Sequence, residues 1–255
     1  MRRQKRAQEW FDHDDFWRET FSYVFAEKRL ALATEVVDKA LTLTKLEGKS
    51  ALDLGCGIGR FSIALAERGF SVTGVDRTKY LLDKARAKAR SMDITVEWVQ
   101  KDMRDFVRSE AYDFVLSMFS SFGYFDDRAE DAAVLRNIFE SLRPGGVFLV
   151  DLIGKEILAK IFQRSSAETL PDGSLMVEQR KIVDGWTRAL NEWTIIRKGR
   201  SRTFAFHINL YSGQELRQEM ELAGLVDVTL YGNLDGDPYG PDATRLIAVG
   251  RKPKS

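Results

Sequence analysis

The stretch Ala51–Ser62, ALDLGCGIGRFS, decides the fold. It starts as an apolar, strand-like run, meets an acid at Asp53, and then sets glycines at positions 55, 57 and 59, the last of them opening a helical pattern. A glycine-rich turn from a buried strand into a helix is how a doubly wound sheet begins, and it lies at the carboxyl edge where such sheets bind ligands. Gly55 and Gly57 permit a sharp bend and let a ligand lie against bare main chain.

Outward from this turn the chain alternates short β-rich runs with helical segments. The pattern predicts strands Ser50–Leu54, Phe70–Val75, Ile94–Gln100, Tyr112–Met118 and Val147–Ile153, with helices Gly59–Arg68, Thr78–Arg90 and Arg128–Leu142 between them. Short helical turns are expected between Met103 and Glu110. Such alternation means βαβ units and a parallel sheet covered on both faces. Upstream, Gln8–Leu46 reads as helical and is crowded with Trp10, Phe11, Phe16, Trp17, Phe21, Tyr23 and Phe25. Downstream of Ile153 the rhythm breaks. Leu175–Val183, Arg188–Ile196 and Arg202–Tyr211 read as three antiparallel strands joined at Asp184-Gly185 and Lys198-Gly199. Ser212 and Glu215 form a capping box for a helix ending near Gly224. Strands Leu225–Tyr231 and Arg245–Gly250 follow, too close for a helical crossover and therefore antiparallel. The expected organisation is an N-terminal helical lid over residues 1–48, a core over 49–154 and 212–255, and an inserted antiparallel sheet over 155–211.

Composition removes several function classes. Lys and Arg total 39 against 38 Asp and Glu, a net charge of +1, so no global field favours nucleic acid or acidic lipid. The basic run MRRQKR at Met1–Arg6 reads as a solvated terminus. No apolar run approaches a membrane span, and the start lacks a signal peptide's uninterrupted apolar segment. A soluble, cytoplasmic protein is expected. Cys56 is the single cysteine, and His13 and His207 are the only histidines. No metal site or histidine triad is expected from so few of these residues, and Asp126-Asp127 reads as a helix cap. Cys56 is expected to be shielded inside the turn.

The ligand is narrowed by spacing. A dinucleotide fingerprint needs glycine at position 60, where Arg60 stands. Asp53 beside the turn disfavours a pyrophosphate and suits a ligand carrying an ammonium and a sulfonium. Asp76 closes the second strand about twenty residues after Gly55, where an acid bonds the ribose hydroxyls of an adenosine ligand. Asp102 and Met103 follow the third strand at the same edge, the acid placed to accept from an adenine amino group and the Met103 amide to reach a ring nitrogen.

Together Asp53-Leu-Gly-Cys-Gly-Ile-Gly59, Gly74-Val-Asp76, Asp102-Met103, Tyr112-Asp-Phe-Val-Leu-Ser-Met-Phe119 and Leu142-Arg-Pro-Gly-Gly146 resemble the class I S-adenosylmethionine-dependent methyltransferases of small-molecule type. The resemblance implies a mostly parallel, seven-stranded Rossmann-like α/β sheet. It also implies S-adenosylmethionine as cofactor and S-adenosylhomocysteine as product. Asp53, Gly55, Cys56 and Gly57 would lie by the methionine part, Asp76 and Arg77 by the ribose, Asp102 and Met103 by the adenine, and Met118 near the sulfonium. The acceptor would be a small molecule, taking the methyl on nitrogen or oxygen, and would be met by the loop after the fourth strand, Ser120, Ser121 and Gly123, with Tyr124 just after it the acceptor-side catalytic candidate. His207, on a strand face with Ala205, Asn209 and Tyr211, is a second catalytic candidate. The alternatives are an RNA or protein methyltransferase, a noncatalytic cofactor-binding scaffold, and a nicotinamide dehydrogenase. The exposed edge of the inserted sheet offers a route to a homodimer.

Overall fold

The computed structural model describes residues 9–254, so the basic run Met1–Arg6 and the start of the expected first helix lie outside the described residues. A short 3-10 turn, Trp10–Asp12, leads into three helices, Asp14–Val24 (α1), Glu27–Ala31 (α2) and Ala33–Thr44 (α3). Within the expected helical stretch the chain breaks at Ala26, which leaves helical geometry with φ −55° and ψ 141°. Arg29 receives the freed carbonyls: its Nη1 donates to Tyr23 O at 3.2 Å and Val24 O at 3.4 Å.

The sheet then builds from Ser50–Leu54 (β1), Ser71–Asp76 (β2), Glu97–Gln100 (β3), Tyr112–Ser117 (β4) and Leu142–Leu152 (β5). Helices Arg60–Glu67 (α4), Lys79–Ser91 (α5) and Arg128–Ser141 (α6) connect them. The interval Met103–Glu110 holds turns without a helix, and β5 begins at Leu142 instead of Val147 because Leu142 already pairs with Tyr112. After β5 come a short helix, Lys155–Ile161 (α7), and a strand, Ser165–Thr169 (β6), neither of which was expected. Strands Leu175–Val183 (β7), Arg188–Arg197 (β8) and Arg200–Asn209 (β9) join β6, so the insert is a four-stranded sheet in the order β6-β7-β8-β9. Its β8–β9 hairpin turns at Lys198-Gly199 with φ of 50° and 74°, the left-handed pair that a two-residue turn between twisted strands requires.

Helix Gly213–Leu222 (α8) starts from the Ser212–Glu215 capping box. Strands Val226–Tyr231 (β10) and Leu246–Arg251 (β11) then complete a seven-stranded sheet ordered β10-β11-β5-β4-β1-β2-β3. The closing pair is antiparallel to itself, and β11 is antiparallel to β5. Both faces are covered, which is why β4 reads as a continuous apolar run. Phe114 and Leu116 pack with Phe61, Leu65 and Val37, while Val115, between them in sequence, packs with Leu135, Ile138 and Leu216 on the other face. Strand order reverses between β1 and β4. A crevice therefore opens at their carboxyl ends, flanked by the glycine turn after β1 and the segment Phe119–Asp127 after β4.

Among the described residues no helix is long and apolar enough to cross a membrane. Asp127 caps α6 as expected, accepting the Ala129 amide at 2.9 Å.

Candidate active site

The glycine turn is welded to β2 before any ligand is considered. The amides of Gly55 and Cys56 both donate to Val75 O, at 2.9 and 3.0 Å. Gly57 N then donates to Asp76 Oδ2 at 2.8 Å, and Asp76 Oδ1 accepts Thr78 N at 2.8 Å. The three glycines have φ of 79°, 55° and 74°, but their bareness serves different neighbours. A Cβ at Gly59 would strike the Trp98 ring, and one at Gly55 would stand 2.8 Å from Ser121 Cβ. At Gly57 the nearest atoms are on Phe25, 3.5 Å away. Gly57 is the position where the main chain lies bare toward open space.

That space is a cavity of about 490 Å³, within the range of roughly 300–1,000 Å³ typical of small-molecule sites. Asp53, Gly55, Cys56, Gly57, Asp76, Arg77, Asp102, Met103, Met118 and Tyr124 all line it. His207 does not. Its Nε2 faces Phe125 O at 3.5 Å and Asp126 Oδ1 at 3.3 Å outside the cavity, and its strand neighbour Phe206 supplies the lining. The rest of that polar face turns toward α6. Asn209 Nδ2 and Tyr211 Oη donate to Asp131 Oδ2 at 2.8 and 2.6 Å, because the chain leaving β9 must cross α6 to reach α8. Asn209 and Tyr211 of the expected polar strip therefore anchor the insert to α6.

Electrostatics divide the cavity. Burial pushes the Asp53 carboxyl up to about 6, offset in part by its bond from Ser62 Oγ at 2.6 Å. Burial likewise raises the Asp76 carboxyl, while the amides of Thr78 and Gly57 pull it back. The Cys56 thiol is buried and pushed well above its ordinary value by burial, then by Asp53 and Asp76, so it stays protonated. Two cations that sequence reading missed, Arg29 and Arg60, stand on the same wall. Burial lowers Arg60 to about 10, and Asp53 opposes the fall. Arg60 follows the glycine turn directly, which was the signal for it; Arg29 carried none.

Asp102 and Arg77 are committed to another task. Asp102 Oδ1 accepts Arg104 N and Nε at 2.8 and 3.0 Å, and Oδ2 accepts Arg77 Nη1 and Arg104 Nη2 at 2.8 and 2.6 Å. Its lone pairs are used, so this arrangement offers none for an adenine amino group. The same arginines reach the N-terminal segment. Glu9 Oε2 accepts Arg77 Nη1 at 2.8 Å and Arg104 Nη2 at 2.5 Å, and Asp12 Oδ2 accepts Arg77 Nη2 at 2.5 Å. A buried ion network thereby straps the Trp10–Asp12 turn across the cavity rim.

The opposite wall is aromatic and comes from three separate segments. Trp10, Phe16 and Trp17 belong to the N-terminal segment, Tyr124 to the loop after β4, and Trp193 and Phe206 to the insert. Trp10 meets Phe206 and Tyr124 with ring centroids 4.7 and 5.0 Å apart, and Trp193 meets Phe206 at 4.9 Å. Burial, with the charge of Asp76, pushes the Tyr124 phenol up to about 12, so it is a neutral hydroxyl at physiological pH. Asp151 at the tip of β5 fixes the base of this loop: its Oδ2 accepts Phe119 N at 3.1 Å, its O accepts Ser120 N at 2.8 Å, and its Oδ1 accepts Arg245 Nε at 2.6 Å.

These features test whether an adenosyl sulfonium fits. The left-handed, side-chain-free Gly57, the carboxylate of Asp76 bound to that glycine, and the buried Asp53 carboxylate beside them suit a ligand with vicinal hydroxyls and an ammonium. Arg29 and Arg60 suit its carboxylate.

Comparison with known proteins agrees with that geometry. The family pattern described as methyltransferase domain matches residues 51–146. Over 207 residues the chain is 30% identical to a cypemycin N-terminal methyltransferase of Streptomyces sp, covering 80% of this chain and 83% of that one. It is 25% identical over 216 residues to a glycine/sarcosine N-methyltransferase of Aphanothece halophytica, covering 83% and 79%. Among solved structures, an S-adenosylmethionine-dependent methyltransferase from Clostridium acetobutylicum superposes with a TM-score of 0.77 at 15% identity, covering 94% of this chain and 98% of that one.

Proposed function

This chain belongs to the S-adenosylmethionine-dependent methyltransferases, and on that premise we propose that it methylates the nitrogen of a small-molecule amine. The cofactor lies along the strand tips and the acceptor under the aromatic wall. Asp76 receives the ribose hydroxyls, Gly57 the close approach of the ligand, and Asp53 the ammonium, with Arg29 and Arg60 toward the carboxylate. The Met103 main chain meets the adenine edge, since the Asp102 carboxylate is held by arginines. Met118 sits by the sulfonium. When bound, the cofactor supplies a methyl already activated for in-line displacement. What remains for the protein is to align the acceptor and exclude water, which is worth about 7 to 11 kcal/mol of barrier when the reacting atoms are held together.

One observation carries nitrogen over oxygen. Among the described residues the acceptor wall holds no base: His207 is not part of the cavity lining, Tyr124 is neutral, and the lining carboxylates Asp53, Asp76 and Asp102 stand at or beside the strand ends. A hydroxyl acceptor needs a proton removed as it reacts, whereas a neutral amine attacks unaided and sheds its proton afterwards. Two relatives that match most of the chain are named for an N-terminus and for glycine and sarcosine nitrogen, whereas ubiquinone biosynthesis O-methyltransferases match about half of it. Tyr124 then orients the acceptor by hydrogen bonding, and the N-terminal segment closes over it as a lid.

The test is mass spectrometry of matched amines and alcohols incubated with enzyme and S-adenosylmethionine. Methyl gain confined to amines supports the reading. Methyl gain by alcohols at a comparable rate overturns it.

A further inference from the structure

Two consecutive residues of the loop after β4 hold a conformation that side chains resist. Phe119 and Ser120 have φ of 55° and 60°, and among the described residues they are the one adjacent non-glycine pair in the left-handed region. An L side chain there crowds the following carbonyl, so residues other than glycine visit the region singly. Such strain persists only where the surroundings over-determine it, and it gathers at functional sites. Here one residue of β5 supplies the constraint. Asp151 accepts the Phe119 amide on Oδ2 at 3.1 Å and the Ser120 amide on its main-chain oxygen at 2.8 Å. Asp151 is itself buried, and Arg245 Nε holds its Oδ1 at 2.6 Å.

The pinned pair decides where the rest of the loop lies. The Phe119 ring stacks on Phe61 with centroids 5.8 Å apart, and the Arg60 guanidinium stands 4.2 Å from the Phe119 centroid. Phe61 and Arg60 open α4, directly after the glycine turn. One residue further on, Ser121 Oγ donates to Met118 O at 2.9 Å, and Ser121 Cβ is the atom that a Cβ at Gly55 would meet at 2.8 Å. The acceptor loop and the glycine turn are therefore in contact with no slack. Asp151 is not part of the cavity lining, whereas Met118, Phe119, Ser120, Ser121 and Tyr124 are.

We propose that Asp151 is a positioning residue for methyl transfer: it enforces the left-handed Phe119–Ser120 pair and so sets the acceptor loop at working distance from the cofactor's methyl group. This rests on the methyl-transfer reading above and deepens it by naming a residue that acts on the reaction through the loop alone. A misplacement of about 1 Å at the reacting atoms costs on the order of a hundredfold in rate. The groups assigned to the cofactor, Asp53, Gly57 and Asp76, belong to β1, β2 and the turn between them, and none bonds to Asp151. Loss of Asp151 therefore separates alignment from cofactor binding.

The experiment compares the full chain as wild type, Asp151→Asn, Ser120→Gly and the double variant. Asparagine keeps the shape but turns a donor toward either the Phe119 amide or Arg245. Glycine takes a left-handed φ freely, so it relieves what Asp151 enforces. Calorimetry with S-adenosylhomocysteine comes first, and absence of binding to wild type defeats the methyl-transfer reading and this proposal with it. Where wild type binds, Asp151→Asn should bind with unchanged affinity. The NMR resonance of bound S-adenosylmethionine with an isotope-labelled methyl carbon should move in that variant, because the loop beside the methyl has shifted. With the amine that wild type methylates fastest, kcat should fall roughly ten- to hundredfold while KM for S-adenosylmethionine holds. In the Ser120→Gly background the same substitution should cost less in kcat and move the methyl resonance less. An unmoved methyl resonance, an equal loss in both backgrounds, or an affinity loss that matches the loss of kcat overturns the proposal. If Asp151→Asn fails to melt cooperatively, Asp151→Glu, which keeps the charge facing Arg245 but carries its oxygens one bond further, takes its place with the same outcomes.

Discussion

The Asp76 carboxylate accepts the Gly57 amide at 2.8 Å, so the acid at the tip of β2 and the bare turn after β1 form one unit. Either feature alone recurs in many sheets. Joined by a hydrogen bond at the switch point between β1 and β4, they make a concave, partly anionic surface of fixed shape, and the sequence separation of the two residues hides how close they are.

Gly57 and Gly59 should respond differently to the same substitution. Gly59→Ala drives a Cβ into Trp98, so the folding stability should fall by more than the backbone cost of about 1 to 2 kcal/mol expected from a left-handed alanine. Gly57→Ala bears that backbone cost but meets only Phe25 at 3.5 Å. Its larger effect should be on S-adenosylhomocysteine affinity. Thermal melts and calorimetry on both variants check the contrast.

Cofactor affinity should weaken as pH falls through about 6, where Asp53 takes up its proton. The sign for stability is opposite. Because burial raises the folded-state value above the ordinary 3.8, the stabilising contribution of protonated Asp53 is complete below that value and is lost as pH rises through about 6. Asp53→Asn, which keeps an oxygen for Ser62, should flatten both profiles and leave the ligand-free protein more stable than wild type at neutral pH. Melting curves with and without S-adenosylhomocysteine across that range measure both.

Tyr124→Phe should reduce kcat by roughly five- to tenfold, the loss of one orienting hydrogen bond, with cofactor affinity unchanged. With the phenol held near 12, the rising limb of the pH–rate profile should track the acceptor amine's own pKa in wild type and variant alike. A limb that stays fixed when amines of different basicity are compared would assign the proton to the enzyme.

Arg104 is almost wholly buried, with its side chain 2% exposed, and it faces Glu9, Asp102 and Glu130. Removing one member of such a buried group costs about 3 to 5 kcal/mol. Arg104→Met should therefore release the Trp10–Asp12 turn, seen as lost hydrogen-exchange protection there and as faster S-adenosylhomocysteine dissociation.

Much of this was legible in order along the chain. Strand β7 was read to its last residue, since Leu175–Val183 ends at the Asp184-Gly185 turn. Asp76 was legible from its spacing to the glycine turn, whereas Asp53 and Asp102 were legible only as part of the set of motifs. What escaped were elements with weak local signals. Helix α7 is seven residues long without a side-chain cap, and β6, SSAET, is a polar, mostly exposed edge strand whose pattern matches a loop as well. The partners of Asp102 escaped for another reason. Glu9 lies far from Arg77 and Arg104 in sequence, and nothing in either segment states that the N-terminal turn folds back over the third strand. Strand alternation puts Phe206 and His207 on opposite faces without saying which one the lid covers; in the structure Trp10 and Phe16 pack on Phe206.

The most direct measurement is calorimetric titration of S-adenosylhomocysteine into the purified wild-type chain and its Asp76→Ala variant, side by side. The account predicts one site per chain, weakened roughly ten- to hundredfold by the substitution through loss of about 1.5 to 3 kcal/mol of charge-assisted hydrogen bonding, in a variant that still melts cooperatively although it loses the acceptor of the Gly57 and Thr78 amides. Absence of binding heat in the wild type, or equal affinity in the two proteins, would contradict it.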